Sequence, residues 1–310
     1  MQLNWLEWKM NVSTRAACII CVLEDVYTAA DTIHLDEADK QRLVKETLAM
    51  LSREPSKEQV PSVYITEAHR ILKKVARRKD PFEKERRLCN EVGMSIAERV
   101  DSQLEAINGK YERFNFLAKW AITGNLIDIR TAGTSYTLTR DDLYNQLLET
   151  FNEKFAVDEL KKIFELTKSP KKILYILDNV GEIALDRLFI RELKGYGNSI
   201  TAAARGGPMT SDATPKDLSF VGIDKVVDKV ITTGPDTLGL SLAEASEGFL
   251  KEIKDADVII GKGQANFYNL STYRPKFAGD VVALFRTKCD YISSFFGKTG
   301  KMRLAMLIPR

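Results

Sequence analysis

KKILYILDNVGEIALDRLF, residues 171–189, opens on an apolar run, breaks at Asp178 and Asn179, and resumes through Gly181 and Glu182 with helical periodicity. A short, nearly continuous apolar segment followed at once by a helix is the pattern of a strand covered on both faces of a parallel sheet. Five further runs read the same way: SITAAA, KVVDKVITT, DVIIG, DVVALF and MRLAMLI, with helix-like segments such as LSLAEASEGFLKEIK between several of them. The expected fold of residues 170–310 is a Rossmann-like three-layer α/β/α domain with a mostly parallel sheet.

Upstream the period changes. TRAACIICVLEDVYTAADTI places apolar residues at helical spacing, DEADKQRLVKETLAMLSR opens acidic, and PSVYITEAHRILKKVARRKD ends basic, matching the charge preference of helix termini. PFEKERRLCNEVGMSIAERVDSQLEAI starts on Pro81, a residue tolerated in a first turn, and RDDLYNQLLETFNEKF and VDELKKIFELTK continue the pattern. Residues 1–169 are therefore expected to form an N-terminal all-helical domain. Met10, followed by the capping residues of NVST, is read as the natural start.

Composition narrows the function. The 46 Lys and Arg nearly balance 43 Asp and Glu, leaving net charge +3, and the two signs alternate along the helical stretches. That interleaving gives no basic face, so no nucleic-acid partner is expected. The apolar run at 16–23 is too short to span a bilayer, and no membrane partner is expected. Cys18, Cys21, Cys89 and Cys289 are too few and scattered for a disulfide scaffold, which fits a soluble protein of the reducing cytoplasm. The Cys18 and Cys21 spacing falls in an apolar helical pattern and is read as core packing. Two histidines, His34 and His69, argue against a multi-histidine metal site or a serine triad and are placed on helix surfaces. Oligomeric state is not legible.

Open α/β sheets bind ligands beyond the carboxyl ends of their strands, where strand order reverses. The residues at those ends form a consistent set. Asp178 and Asn179 follow the first strand; Arg205, Gly206 and Gly207 follow the second and lead to Asp212; Lys262, Gly263 and Asn266 follow the fourth; Arg286 and Lys288 follow the fifth. Two carboxylates and an amide oxygen can hold a hard divalent cation while leaving room for water and a phosphate oxygen. Lys288 and Lys262 could neutralise that phosphate, and Gly261 and Gly263 let backbone approach it. Each acid taken alone is more often a strand-ending cap than a ligand.

LDNVGEIALD, RGGPMTSDAT, GKGQANFYNL and FRTKCD together, in this order, resemble the damage-control phosphatases, a metal-dependent group also called acidic-residue methyltransferase-like. The resemblance extends to AACIICVLEDVYTAA, similar to the family's N-terminal helix, and the Lys288-Cys289 pair matches its small microbial, stand-alone branch. It implies a cation (manganese, magnesium, cobalt or nickel) held by Asp178, Asn179 and Asp212. It implies a catalytic set of those three with Lys288 on the phosphate, and substrate binding by Glu182, Arg205, Lys262, Gly263, Asn266 and Lys288. The implied reaction is hydrolysis of phosphate monoesters of small metabolites such as sugar phosphates or damaged phosphorylated intermediates. The first strand ends Asp178-Asn179-Val180, without the Asp-any-Asp that haloacid dehalogenase phosphatases carry there, which favours water over Asp178 as the attacking group. Two alternatives stand beside this: an S-adenosylmethionine-dependent carboxyl methyltransferase, against which DNVGE offers a single glycine, and a non-catalytic metabolite-binding protein.

Overall fold

The structure, a computed structural model, describes residues 12–53, 60–127 and 140–310; Met10 lies outside them. Helices α1 (Ala16–Thr32), α2 (Glu37–Leu51) and α3 (Pro61–Ala76) pack around their own cluster of Val22, Val26, Leu43, Tyr64 and Leu72. Their ends follow the charge pattern. Asp36 caps α2 by accepting the Asp39 N–H at 2.8 Å, and Lys73 and Lys74 close α3. Two expectations fail here. His69 is buried, not on a helix surface, and its ring nitrogen lies 2.8 Å from Asp25 Oδ2, tying α3 to α1. The buried stripe of α1 runs through Val22, Val26, Ala29 and Ala30, so Cys18 is only half-buried and Cys21 is exposed.

Helices α4 (Glu83–Gln103), α5 (Lys110–Thr123) and α6 (Arg140–Asn152) follow, then strand β1 (Val157–Asp158) and helix α7 (Leu160–Thr167). The alternation that follows is β2 (Lys172–Ile176), α8 (Glu182–Lys194), β3 (Ser199–Ala204), α9 (Pro215–Val221), β4 (Lys229–Thr232) and α10 (Glu247–Asp255). It closes with β5 (Val258–Lys262), α11 (Gly263–Tyr273), β6 (Asp280–Arg286), α12 (Asp290–Ser294) and β7 (Arg303–Ile308). All six expected strands form. With β1 they make a seven-stranded sheet in the order β1-β7-β6-β5-β2-β3-β4, parallel except where β7 runs antiparallel to β6. The front of VDELKKIFELTK is not helical: Val157 and Asp158 pair with Leu304 and Ala305, so this segment adds an edge strand before α7 begins.

Two layers of apolar side chains sandwich the sheet. One cluster unites α4, α5, α7 and α8 with Ile173, Tyr175, Ile260, Val282 and Ala305 of the strands; the other lies between the opposite face and Phe249, Phe267 and Ile292 of α10, α11 and α12. Helices from before residue 170 thus share a core with strands from after it. Phe114 of α5 makes this join, with edge-on contacts to Phe164 of α7 at 5.4 Å and Phe189 of α8 at 5.2 Å. Among the described residues, no helix is long and apolar enough to cross a membrane.

Truncating Phe114 leaves a cavity where three helices meet. Phe114→Ala is expected to cost ~3–5 kcal/mol in chemical denaturation, whereas Leu88→Ala, at an exposed position, should change stability by no more than ~0.5 kcal/mol.

Candidate active site

Strand β2 is the point where the order reverses, because its neighbours β3 and β5 are reached by connections running to opposite sides. Past its carboxyl end the chain turns sharply. Asp178 and Asn179 are buried, and the Val180 N–H donates to Ser211 O at 2.8 Å. Gly181 takes φ +76°, where a side chain would meet Ile127 and the Cys89 carbonyl, and its N–H donates to Asn90 Oδ1 at 2.9 Å. Only glycine admits both that φ and the close approach of α4.

The second loop comes alongside it. Asn179 and Asp212 form an isolated antiparallel bridge, and the Ala213 N–H donates to Asp178 O at 2.7 Å. Ser211 Oγ donates to Asn179 Oδ1 at 2.9 Å, fixing the amide with its oxygen toward this loop. Thr210, at φ +51°, is held in the left-handed region that disfavours β-branched residues. Arg86 of α4 secures this turn by donating to the carbonyls of Thr210 and Asp212 at 3.0 and 2.7 Å, and pairs with Asp217. Asp217 also completes the capping box of α9 with Thr214 and accepts from Asn90 Nδ2 at 2.9 Å.

Several residues expected on the substrate face inward. Lys262 is 0% exposed, and its ammonium donates to Ala121 O at 2.8 Å, to Asp186 Oδ1 at 2.8 Å and to Glu182. With its three protons used, it neutralises two buried carboxylates of α8 and not a phosphate. Glu182 in turn accepts from Asn125 Nδ2 at 2.8 Å and is equally enclosed. Arg205 lies behind the Asp212 carboxylate: its Nε donates to Oδ2 at 2.7 Å and its Nη2 to Asn266 Oδ1 at 3.0 Å. Asn266 completes its bonding by donating to Leu177 O and Lys262 O at 3.1 and 2.8 Å. These four side chains are engaged with one another and with the groups that hold Asp178, Asn179 and Asp212.

Gly263 and Lys288 remain at the front. Gly263, at φ +78°, brings the start of α11 so close to Asp178 that a Cβ there would overlap the carboxylate. Gln264, the next residue, accepts the Lys288 N–H at 2.7 Å and so joins the loops after β5 and β6. Lys288 is exposed, and its charge acts on Asp178.

Burial pushes the Asp178 carboxyl well above the usual carboxylate range, and the charges of Glu182 and Asp212 add to the rise; Lys288 and Arg205 oppose it. Burial also lifts Asp186 to about 6 although Lys262 sits beside it, and Tyr175 donates to Asp186 Oδ1 at 2.7 Å. Crowded carboxylates of this kind are what a divalent cation relieves. Oδ2 of Asp178 accepts from Asn125 and Asn179, and Oδ2 of Asp212 from Arg205 and the Gly239 N–H, while neither Oδ1 takes a hydrogen bond among the described residues. The two Oδ1 atoms and the Asn179 amide oxygen fit a hard cation. Among the described residues there is no cluster of three or more His, Cys, Asp or Glu able to hold a metal, so the amide is needed as third donor.

The damage-control phosphatase ARMT1-like domain matches residues 14–303, nearly the whole chain. The chain belongs to this family. It is 33% identical over 289 residues to an uncharacterized protein of Methanocaldococcus jannaschii, covering 93% of each. It is 28% identical over 280 residues to a damage-control phosphatase of Archaeoglobus fulgidus, covering 90% of this chain and 94% of that one. A crystal structure of a DUF89 family protein from Pyrococcus horikoshii superposes with a TM-score of 0.84 at 26% identity, over 96% of this chain and 100% of that one. The damage-control phosphatase family match takes in α4, α5 and the turn after it, so Arg86, Asn90 and Asn125 lie inside the family domain. None of the three was anticipated, although Arg86, Asn90 and Gly93 recur at the spacing of one helix face.

Two variants separate holding from binding. Lys262→Met leaves Glu182 and Asp186 without their cation and is expected to cost ~3–5 kcal/mol of stability, measured by denaturant titration. Asp178→Asn should do the reverse in chelated protein. Its raised folded-state proton affinity means that ionisation costs stability as pH rises above the ordinary carboxylate range, so removing the charge should raise the melting temperature near neutrality. A lower one would contradict the crowding described here.

Proposed function

We propose that this phosphatase uses Asp178, Asn179 and Asp212 to hold a divalent cation and Lys288 to receive the phosphate of a small phosphorylated metabolite. The observation that carries the reading is the pair of Oδ1 atoms on Asp178 and Asp212, which take no hydrogen bond among the described residues, set at the switch point with Lys288 in front. A bound cation would supply Lewis acidity to a phosphoryl oxygen and offset developing charge. The protein's part is positioning, which phosphoryl transfer chiefly needs. Ser211 and Asn125 orient the Asn179 amide and the Asp178 carboxylate, and Arg205 fixes Asp212 in one rotamer. Gln264 holds the backbone of Lys288, aiming a compact positive charge at the incoming phosphate.

Water is the attacking group in this reading, and the Asp178 carboxylate stays a cation-holding group. Manganese, magnesium, cobalt and nickel are the candidate cations, and sugar phosphates and damaged phosphorylated intermediates the candidate substrates. Four free cysteines support a reducing cytoplasmic setting. Carboxyl methyl transfer is not favoured, because the turn after β2 has only Gly181, which α4 already occupies.

Chelated protein should release phosphate from sugar phosphates and an aryl phosphate only after one of the four cations is restored. Asp178→Asn should abolish release, and Lys288→Ala should raise KM by ~10–100-fold, the worth of one charged hydrogen bond. Absence of release with all four cations would overturn the assignment.

A further inference from the structure

Strands β6 and β7 carry a second pair of cations that the site above leaves unused. Arg286 ends β6, Arg303 opens β7, and the two are directly opposite in the antiparallel ladder. Such partners share one face of the sheet with Cβ atoms ~4.5–5.5 Å apart, where like charges repel. Arg303 is 1% exposed, and its Nε, Nη1 and Nη2 are buried with no acceptor among the described residues. Among the same residues the Arg286 Nε is likewise buried without one. The Phe155 ring lies 4.3 Å from the Arg303 guanidinium, closing one side. Glu153 comes no nearer to Arg286 than 3.7 Å, beyond hydrogen-bonding range.

This arrangement is costly as it stands. A guanidinium withdrawn from water without acceptors forfeits several kcal/mol. Burial pulls the Arg303 pKa down to about 10; Glu153 and Asp158 counter this through space, while Arg286 reinforces it. Here all the unmatched atoms are donors, on planar cations suited to gripping a carboxylate or phosphate by two bonds.

We infer that Arg286 and Arg303 form a subsite for a second oxyanion, a carboxylate or another phosphate, on the same small molecule whose first phosphate meets Lys288. The substrate half of this inference rests on the phosphatase reading; the anion site itself does not. Arg286 precedes Lys288 by two residues, ~7 Å along extended chain, and both lie at the sheet edge that carries Asp178. Arg286 is 15% exposed and Glu153 beside it 43% exposed, so the pair meets solvent at its Arg286 end. A metabolite with anionic groups at both ends of a short carbon chain matches this spacing.

The test uses the full chain, stripped of metal, with sulfate as the probe and melting temperature as the readout. Wild type and Lys288→Ala should both be stabilised by sulfate, and Arg303→Met and Arg286→Gln should lose most of that increment. Arg303→Met replaces an unmatched buried charge with an apolar side chain of similar length and should fold; Arg286→Gln keeps a donor and guards against misfolding of the first variant. Equal sulfate increments in wild type and both arginine variants would overturn the subsite. In the cation-restored enzyme, kcat/KM for a sugar bisphosphate and for a phosphorylated sugar acid is then compared with that for the matching monophosphate. The wild-type preference for one of the doubly anionic substrates should fall at least tenfold in Arg303→Met, and which of the two loses more tells phosphate from carboxylate. Loss of sulfate binding with an unchanged preference would mean an adventitious ion only and overturn the substrate claim. Failure to turn over any phosphate ester would sink the phosphatase reading, while the sulfate arm would still decide the anion site.

Discussion

The buried Lys262 ammonium, shared by Glu182, Asp186 and the Ala121 carbonyl, is the contact on which the rest of the site is hung. It joins the end of β5 to two helices at once, α8 beside it and α5 from the helical half. Glu182, held this way, orients Asn125, and Asn125 reaches the Asp178 carboxylate. Such a cluster adds little net stability over apolar packing, because three charges have left water. What it supplies is a single arrangement: Asp178 cannot turn without breaking bonds that the buried charges require.

A second set of bonds comes from α4. Arg86 and Asn90 grip the loop after β3 and the turn after β2, and Gly93 lets the helix lie against Gly181. The helical half is therefore part of the site's frame. Its polar residues take up backbone groups that would otherwise be buried without partners at two successive turns, including the strained Thr210.

This division explains what was legible in the sequence. All six anticipated strands were readable because each is a nearly continuous apolar run, most with a helix-like segment after it, whereas β1 is two residues long and makes no run. Asp178, Asn179 and Asp212 stood out as polar residues stationed just past strands, and the structure brings them together. Lys262 was misread for a physical reason: a lysine after a strand looks the same whether its ammonium turns toward solvent or inward. The discriminating signal was Glu182 and Asp186, spaced one turn apart on the facing helix, which a buried cation would need. His69 was misplaced because its partner, Asp25, lies on another helix, and cross-helix pairing leaves no local pattern.

The position of β7 has a consequence for how the chain is made. Its residues, 303–308, insert between β6 and β1, and β1 reaches the sheet only through them. During vectorial synthesis α5, α6 and β1 leave the ribosome long before the strand that receives them, so one border of the sheet stays open until residues 303–308 follow. An exposed β6 border is a template for pairing with another chain. The pairing between segments about 150 positions apart is also slow to form. Aggregation of nascent chains, more than loss of mature stability, is the hazard that this topology concentrates in the interval before β7 emerges.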